Sequence, residues 1–264
     1  MSWLLPRPLL ALALLLTLAA APRARAEGTW EQVGKTGEWK KTVALAGMNG
    51  LLWSIEADGS LYKTDKNGSF EQVGKRGAFR GVRLLEAMNG LLWTVEAGPL
   101  YKSDPVAGSW QQVGSVGEWK SAMVMVGMDG FLYSLERDGT LFKTDQKGNH
   151  TQIAGRRAFR RTEFLKAMDG FLWTIEGGSL YKTNPAAGDW QLVGKAGEWG
   201  ETAAMATGSG SIWTVERDGT LYKTNKSGEW AQVGDKGAYH AVKLLCTLDG
   251  KLYTIERGTL YRTH

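Results

Sequence analysis

Thiols are almost missing from this chain. Cys246 is its one cysteine, so no internal disulfide can form. It lies in an apolar run and reads as a small core residue. Histidines are nearly as sparse: His150, His240 and His264 stand at unrelated positions with no metal-ligand spacing. Neither a G-x-S-x-G motif nor a Cys/His pair occurs. No catalytic residue, metal or cofactor is therefore expected. Beyond Ala21 no segment approaches the ~20 consecutive apolar residues that a membrane helix needs, so no membrane span is expected. A helical hydrophobic period is absent as well.

Excess charge is missing too, once the start of the chain is set aside. Residues 1–26 read as a secretory signal peptide. Arg7 supplies the charge, Leu9 to Ala21 the apolar stretch, and Ala24-Arg25-Ala26 the cleavage signal before Glu27. The chain has 32 Lys+Arg against 27 Asp+Glu. Three of those bases (Arg7, Arg23, Arg25) are in the leader and none of the acids is, so the remainder carries 29 against 27, a net of +2. Nucleic acid is excluded as the expected partner. A secreted or periplasmic location is expected. A domain there without disulfides needs a large core, which residues 27–264 can supply as one closed unit.

What is there is a paragraph written six times. Trp30, Phe70, Trp110, His150, Trp190 and Trp230 recur at an interval of 40 and open each copy. A period of that size is the mark of a propeller or solenoid. In the first copy Thr42 to Met48 reads as a strand, Asn49-Gly50 as a hairpin turn and Leu51 to Glu56 as the next strand. Ser60 to Thr64 follows as the third strand, and Phe70 to Val73 as the fourth. Four short antiparallel strands make one propeller blade. The Thr42 run and its odd-copy equivalents are rich in small residues, which suits the innermost strand. The chain then begins with an orphan outer strand, Trp30 to Val33, and ends after a third strand. The expectation is an all-β, six-bladed propeller whose ring is closed by the N-terminal strand completing the last blade. Residues 27–264 form its single domain.

The copies alternate. Odd loops carry G-E-W (Glu38-Trp39, Glu118-Trp119, Glu198-Trp199), whereas even loops carry Phe79, Phe159 and Tyr239. Odd hairpins read Asp58-Gly59, Asp138-Gly139 and Asp218-Gly219, and even hairpins are one residue shorter. Both lengths can hold one register, with Ile55 opposite Leu61 and Val95 opposite Leu100. The chain is thus three copies of an 80-residue pair.

Six carboxylates end the second strands: Glu56, Glu96, Glu136, Glu176, Glu216 and Glu256. Chain direction puts each on the same rim as a loop aromatic. An aromatic face beside a carboxylate suits a sugar, whose C–H face stacks while its hydroxyls bond to the acid. The same residues have a structural reading: the acids can satisfy loop amides, and the aromatics can pack between blades. Trp53, Trp93, Tyr133, Trp173, Trp213 and Tyr253 read as core. The recurrent Lys63, Lys102, Lys143, Lys182, Lys223 and Arg262 read as a solvated edge, with an acidic ligand as the alternative. Glu38 and Glu56 could form a glycosidase pair, but that arrangement would occur three times over.

The phrase V-G-K-x-G-E-W-K, followed by an apolar strand and G-L-L-W-S-I-E-x-D-G-S-L-Y-K, resembles the β-propeller lectins of the tachylectin-2 and tectonin groups. The resemblance spans residues 28–264 and is carried by Gly34, Gly37, Trp39, Gly50, Trp53, Gly59, Leu61 and Tyr62 and their equivalents. It implies secreted sugar binding, with N-acetylated or O-methylated sugars or lipopolysaccharide as ligands, at sites between blades near Trp39 and its copies. His150, Ala154 and Arg157 depart from the pattern and predict an eroded fourth site; Gly200 predicts a weaker fifth. The expected function is a monomeric, multivalent lectin rather than an enzyme. Its ligand-binding candidates are Trp39, Trp119, Trp199, Glu38, Glu118, Glu198, the six strand-end acids, Phe79 and Tyr239. The alternatives are a protein-interaction scaffold and a periplasmic hydrolase.

Overall fold

A computed structural model describes residues 28–263; the expected leader lies outside them. The described chain folds into six four-stranded antiparallel sheets with no helix, arranged as a β-propeller. In the first blade the order from axis to rim is Thr42–Met48, Leu51–Glu56, Leu61–Thr64 and Phe70–Val73. Asn49 and Gly50 both have positive φ (53° and 72°), the two-residue turn whose twist matches its strands. The same pair of left-handed residues joins the first two strands of every blade.

The sixth blade takes its outer strand from the other end of the chain. Trp30–Val33 pairs with Thr259–Thr263, Trp30 opposite Thr263 and Val33 opposite Leu260. Arg262 donates to Glu31 across this seam at 2.9 Å, and the Tyr239 hydroxyl donates to the Gly28 carbonyl. Ring closure is as expected, and it pairs the edge of Thr259–Thr263 that would otherwise be bare.

The register also follows the sequence reading. Ile55 faces Leu61 across the longer hairpin and Val95 faces Leu100 across the shorter one. A β-bulge was not foreseen. It interrupts the inner pair of every blade at the same place, between Thr42 and Ala44 in the first, and leaves Thr42 opposite Glu56. In the first blade the Thr42 hydroxyl reaches the strand-end acid from this position.

The core is six wedges, one in each gap between blades. The wedge between the sixth and first blades holds Val33, Trp39, Leu52, Leu248, Tyr253, Ile255 and Leu260. Each wedge contains one aromatic from the long loop: Trp39, Phe79, Trp119, Phe159, Trp199 or Tyr239. Its backbone N–H donates to a hairpin glycine of the preceding blade, as Trp39 does to Gly258 at 2.9 Å and Phe79 to Gly59 at 2.9 Å. The strand aromatics Trp53, Trp93, Tyr133, Trp173 and Tyr253 are buried as expected, and Trp213 is half-buried.

Candidate functional site

The loop and the strand-end acid do meet. In the first blade Gly37, Glu38, Trp39, Lys40 and Lys41 line a rim pocket with Ser54, Glu56, Tyr62 and Phe70. The same positions plus 80 build a pocket in the third blade, from Glu118, Ser121, Glu136, Phe142 and His150. Plus 160, they build one in the fifth, from Glu198, Trp199, Thr214, Glu216, Tyr222 and Trp230. These three pockets, one per 80-residue pair, have volumes of about 320, 490 and 60 Å³. The volume falls as the outer-strand ring grows: His150 in the largest, Phe70 next, Trp230 in the smallest.

The loop tryptophans are not the stacking faces. Trp39, Trp119 and Trp199 are only 3%, 0% and 5% exposed, so packing wins over ligand contact for their rings. The exposed rings belong to the outer strand instead: Phe70 is 48% and Trp230 51% exposed. Phe70 stands edge-on to Tyr62 at 5.8 Å and to Trp39 at 5.9 Å, so its outer face is free for a ligand. The sequence reading has Phe70 as a repeat opener and Tyr62 among the residues that carry the resemblance, but neither among the ligand-binding candidates. The signal was the alternating strand F-E-Q-V, which puts residue 70 opposite Thr64 and beside Tyr62.

Even blades close the equivalent space. Phe79 contacts Trp110 at 4.1 Å, Phe159 stacks on Trp190 at 4.1 Å, and Tyr239 meets Trp30 at 4.6 Å. A loop Phe or Tyr is small enough for the outer-strand Trp to fold down onto it. Phe79 and Tyr239, both candidates from sequence, are therefore packed beneath another ring. His150 was read as a sign of an eroded fourth site. It belongs to the outer strand of the third blade, because a blade ends four residues into the next copy, and there it lines the largest pocket.

The acids divide into two roles. Glu38, Glu118 and Glu198 each accept the N–H three residues back, from Lys35, Ser115 and Lys195, all at 2.8 Å. They brace their own loop through one oxygen. The strand-end acids all have pKa values raised, and burial is the first cause in each. Glu56 accepts from the Thr42 hydroxyl (3.1 Å), Glu96 from Thr94 (3.2 Å) and Glu176 from the Arg161 N–H (3.4 Å). Oε1 of Glu136 and of Glu256 is buried without a partner. In the third blade Glu136 lines the pocket.

An ion pair recurs at one spacing on the odd blades: Asp58 with Arg76 (2.8 Å), Asp138 with Arg156 (3.1 Å) and Asp218 with Lys236 (3.8 Å), the second of them lining its pocket. The base comes from the next loop and pins the hairpin that carries the strand-end acid. The ring of cations is occupied differently. Lys143 sits 3.6 Å over Phe131 and Lys223 5.0 Å over Trp213, while Lys63 pairs with Glu71 at 3.0 Å.

A rim of repeated pockets on a closed ring defines the molecule as a six-bladed β-propeller, and solved propellers share its fold. Virginiamycin B lyase from Staphylococcus aureus is 15% identical with a TM-score of 0.59, over 85% of this chain and 80% of that one. YCF48 bound to D1 peptide is 13% identical with a TM-score of 0.55, over 92% and 96%. A protein of unknown function from Bacteroides thetaiotaomicron is 12% identical with a TM-score of 0.66, over 90% and 72%. These identities carry the fold alone. No protein-family profile and no curated protein matches the chain by sequence.

Proposed function

We propose that this protein is a secreted, multivalent carbohydrate-binding propeller, with its sites in the rim pockets of the first, third and fifth blades. The observation that carries the reading is the threefold recurrence of one pocket, built from a half-buried carboxylate and an aromatic from each of the two outer strands. Tyr62 and Phe70 offer apolar faces to a sugar ring, and Glu56 with its copies accepts from hydroxyl or amide donors. Repetition favours binding over catalysis, because three weak sites gain by avidity on a dense glycan surface. Leader cleavage near Ala26 would deliver the domain to such surfaces. Surface glycans and lipopolysaccharide are the ligand classes proposed.

A glycan array tests this with wild type, Phe70→Ala and a Glu56/Glu136/Glu216→Gln triple variant. The triple variant is expected to lose binding and Phe70→Ala to weaken it. Wild-type signal retained by the triple variant would take the rim pockets out of the mechanism. The competing reading is a protein-interaction scaffold, supported by the likeness to YCF48, which was solved with a peptide. It predicts an array without hits.

A further inference from the structure

The central channel holds chemistry that the rim does not use. At one level of the inner strands the six blades place Ala46, Glu86, Val126, Lys166, Ala206 and Cys246. Odd blades contribute only small or apolar groups. Even blades contribute an acid, a base and a thiol, spaced by the threefold pattern of the ring. All six inner strands line this cavity of about 230 Å³. Its walls press close together, since a Cβ on Gly47 would lie 2.5 Å from the Thr247 carbonyl oxygen.

We propose that this channel is a second binding site, for a small zwitterion of amino-acid size, with Lys166 taking the carboxylate and Glu86 the ammonium. Opposite charges in a cavity are costly unless paired. Glu86 and Lys166 feel each other's charge, yet no ion-pair contact joins them among the described residues. A zwitterion between them satisfies both and leaves the cavity neutral. The other polar walls fit that polarity. Thr247 spends its hydroxyl proton on the Thr207 carbonyl (2.7 Å) and Thr207 spends its own on the Ala167 carbonyl (2.9 Å). Both oxygens keep lone pairs that a ligand ammonium can use. Cys246 is a neutral wall, its thiol pushed up to about 12 by burial. Burial also raises Glu86, to about 7, so a bound cation is what would hold it ionised.

The test is calorimetric titration of the full chain with glycine, β-alanine and 4-aminobutyrate, against acetate and methylammonium as single-charge controls. At least one zwitterion is expected to bind the wild-type protein. Glu86→Gln and Lys166→Met are each expected to weaken it by about tenfold or more, as losing a charge-assisted bond should. The rim triple variant is expected to bind it unchanged, which separates this site from the glycan reading. Zwitterions that bind no better than the controls would overturn the proposal. So would wild-type affinity retained by both channel variants. Either result would make the channel water-filled.

Discussion

Each strand-end glutamate answers to its neighbours, and the first and sixth blades show the contrast. In the first blade Thr42 donates to Glu56. In the sixth the equivalent residue is Val242, which has no hydroxyl, and the nearby Thr254 donates to the Leu244 carbonyl instead. Glu256 is left with a buried, unpartnered oxygen and its pKa is pushed up to about 7, burial being the first cause. The sign follows. A folded-state pKa above the ordinary carboxylate value means that the folded protein holds its proton longer than the unfolded chain does. The resulting stabilisation is fully present below about pH 4.5 and is lost as pH rises through about 7. Glu256→Gln is expected to remove that loss and so to stabilise the protein at pH 8 relative to pH 5, by on the order of 1–3 kcal/mol. Urea denaturation at the two pH values measures it; an unchanged pH dependence would mean that the carboxylate is solvated. The identity of these six acids was plain in the sequence. Their partners were not, because they differ from blade to blade: Thr42 beside a bulge for Glu56, Thr94 of its own strand for Glu96 and the Arg161 N–H for Glu176.

At the scale of the loop, the alternation that the sequence displayed finds its cause in ring size. A Cβ on Gly34 would lie 2.4 Å from the Trp39 ring, and one on Gly114 would lie 2.4 Å from Trp119. Gly74, before Phe79, has nothing within 4 Å of that position. A loop tryptophan therefore demands glycine five residues before it, whereas a loop phenylalanine leaves room. Ala154 before Phe159, read from sequence as a departure, is the permitted form of an even loop. The strands, turns and register were legible because they rest on local alternation and on Asn-Gly and Asp-Gly signals. The burial of Trp39 was not, because packing and stacking ask for the same ring at the same place, and only the depth of the wedge separates them. Gly114→Ala is expected to cost about 2–4 kcal/mol, combining overpacking against Trp119 with a left-handed backbone (φ 69°). Gly74→Ala carries the backbone part alone, about 1 kcal/mol. Denaturant melts of the two variants compare them directly, and equal losses would remove Trp119 from the account.

For the whole molecule, everything proposed for the rim depends on a ring that does not open. All six gaps between blades are bridged by a loop that runs straight from an outer strand into the next inner strand. The sixth blade is completed only by strand pairing, between Trp30–Val33 and Thr259–Thr263. Val33 is buried in the wedge shared by the sixth and first blades, and Trp30 packs on Tyr239 in the wedge before it. Removing residues 28–33 therefore takes apolar groups from two wedges and leaves the edge of the last blade unpaired. Loss of two such anchors is expected to cost about 4 kcal/mol, which for a domain of this size lowers the Tm by about 10 °C. The bare edge at Leu260 to Thr263 should also recruit another strand, so the truncated chain is expected to self-associate in size-exclusion chromatography. A synthetic peptide of residues 27–36 should restore both the Tm and the original elution volume, because it supplies the missing strand in the register already observed. Truncation without change in Tm would mean that the blades cohere without the seam, and the closed ring would no longer explain how the rim pockets are held in place.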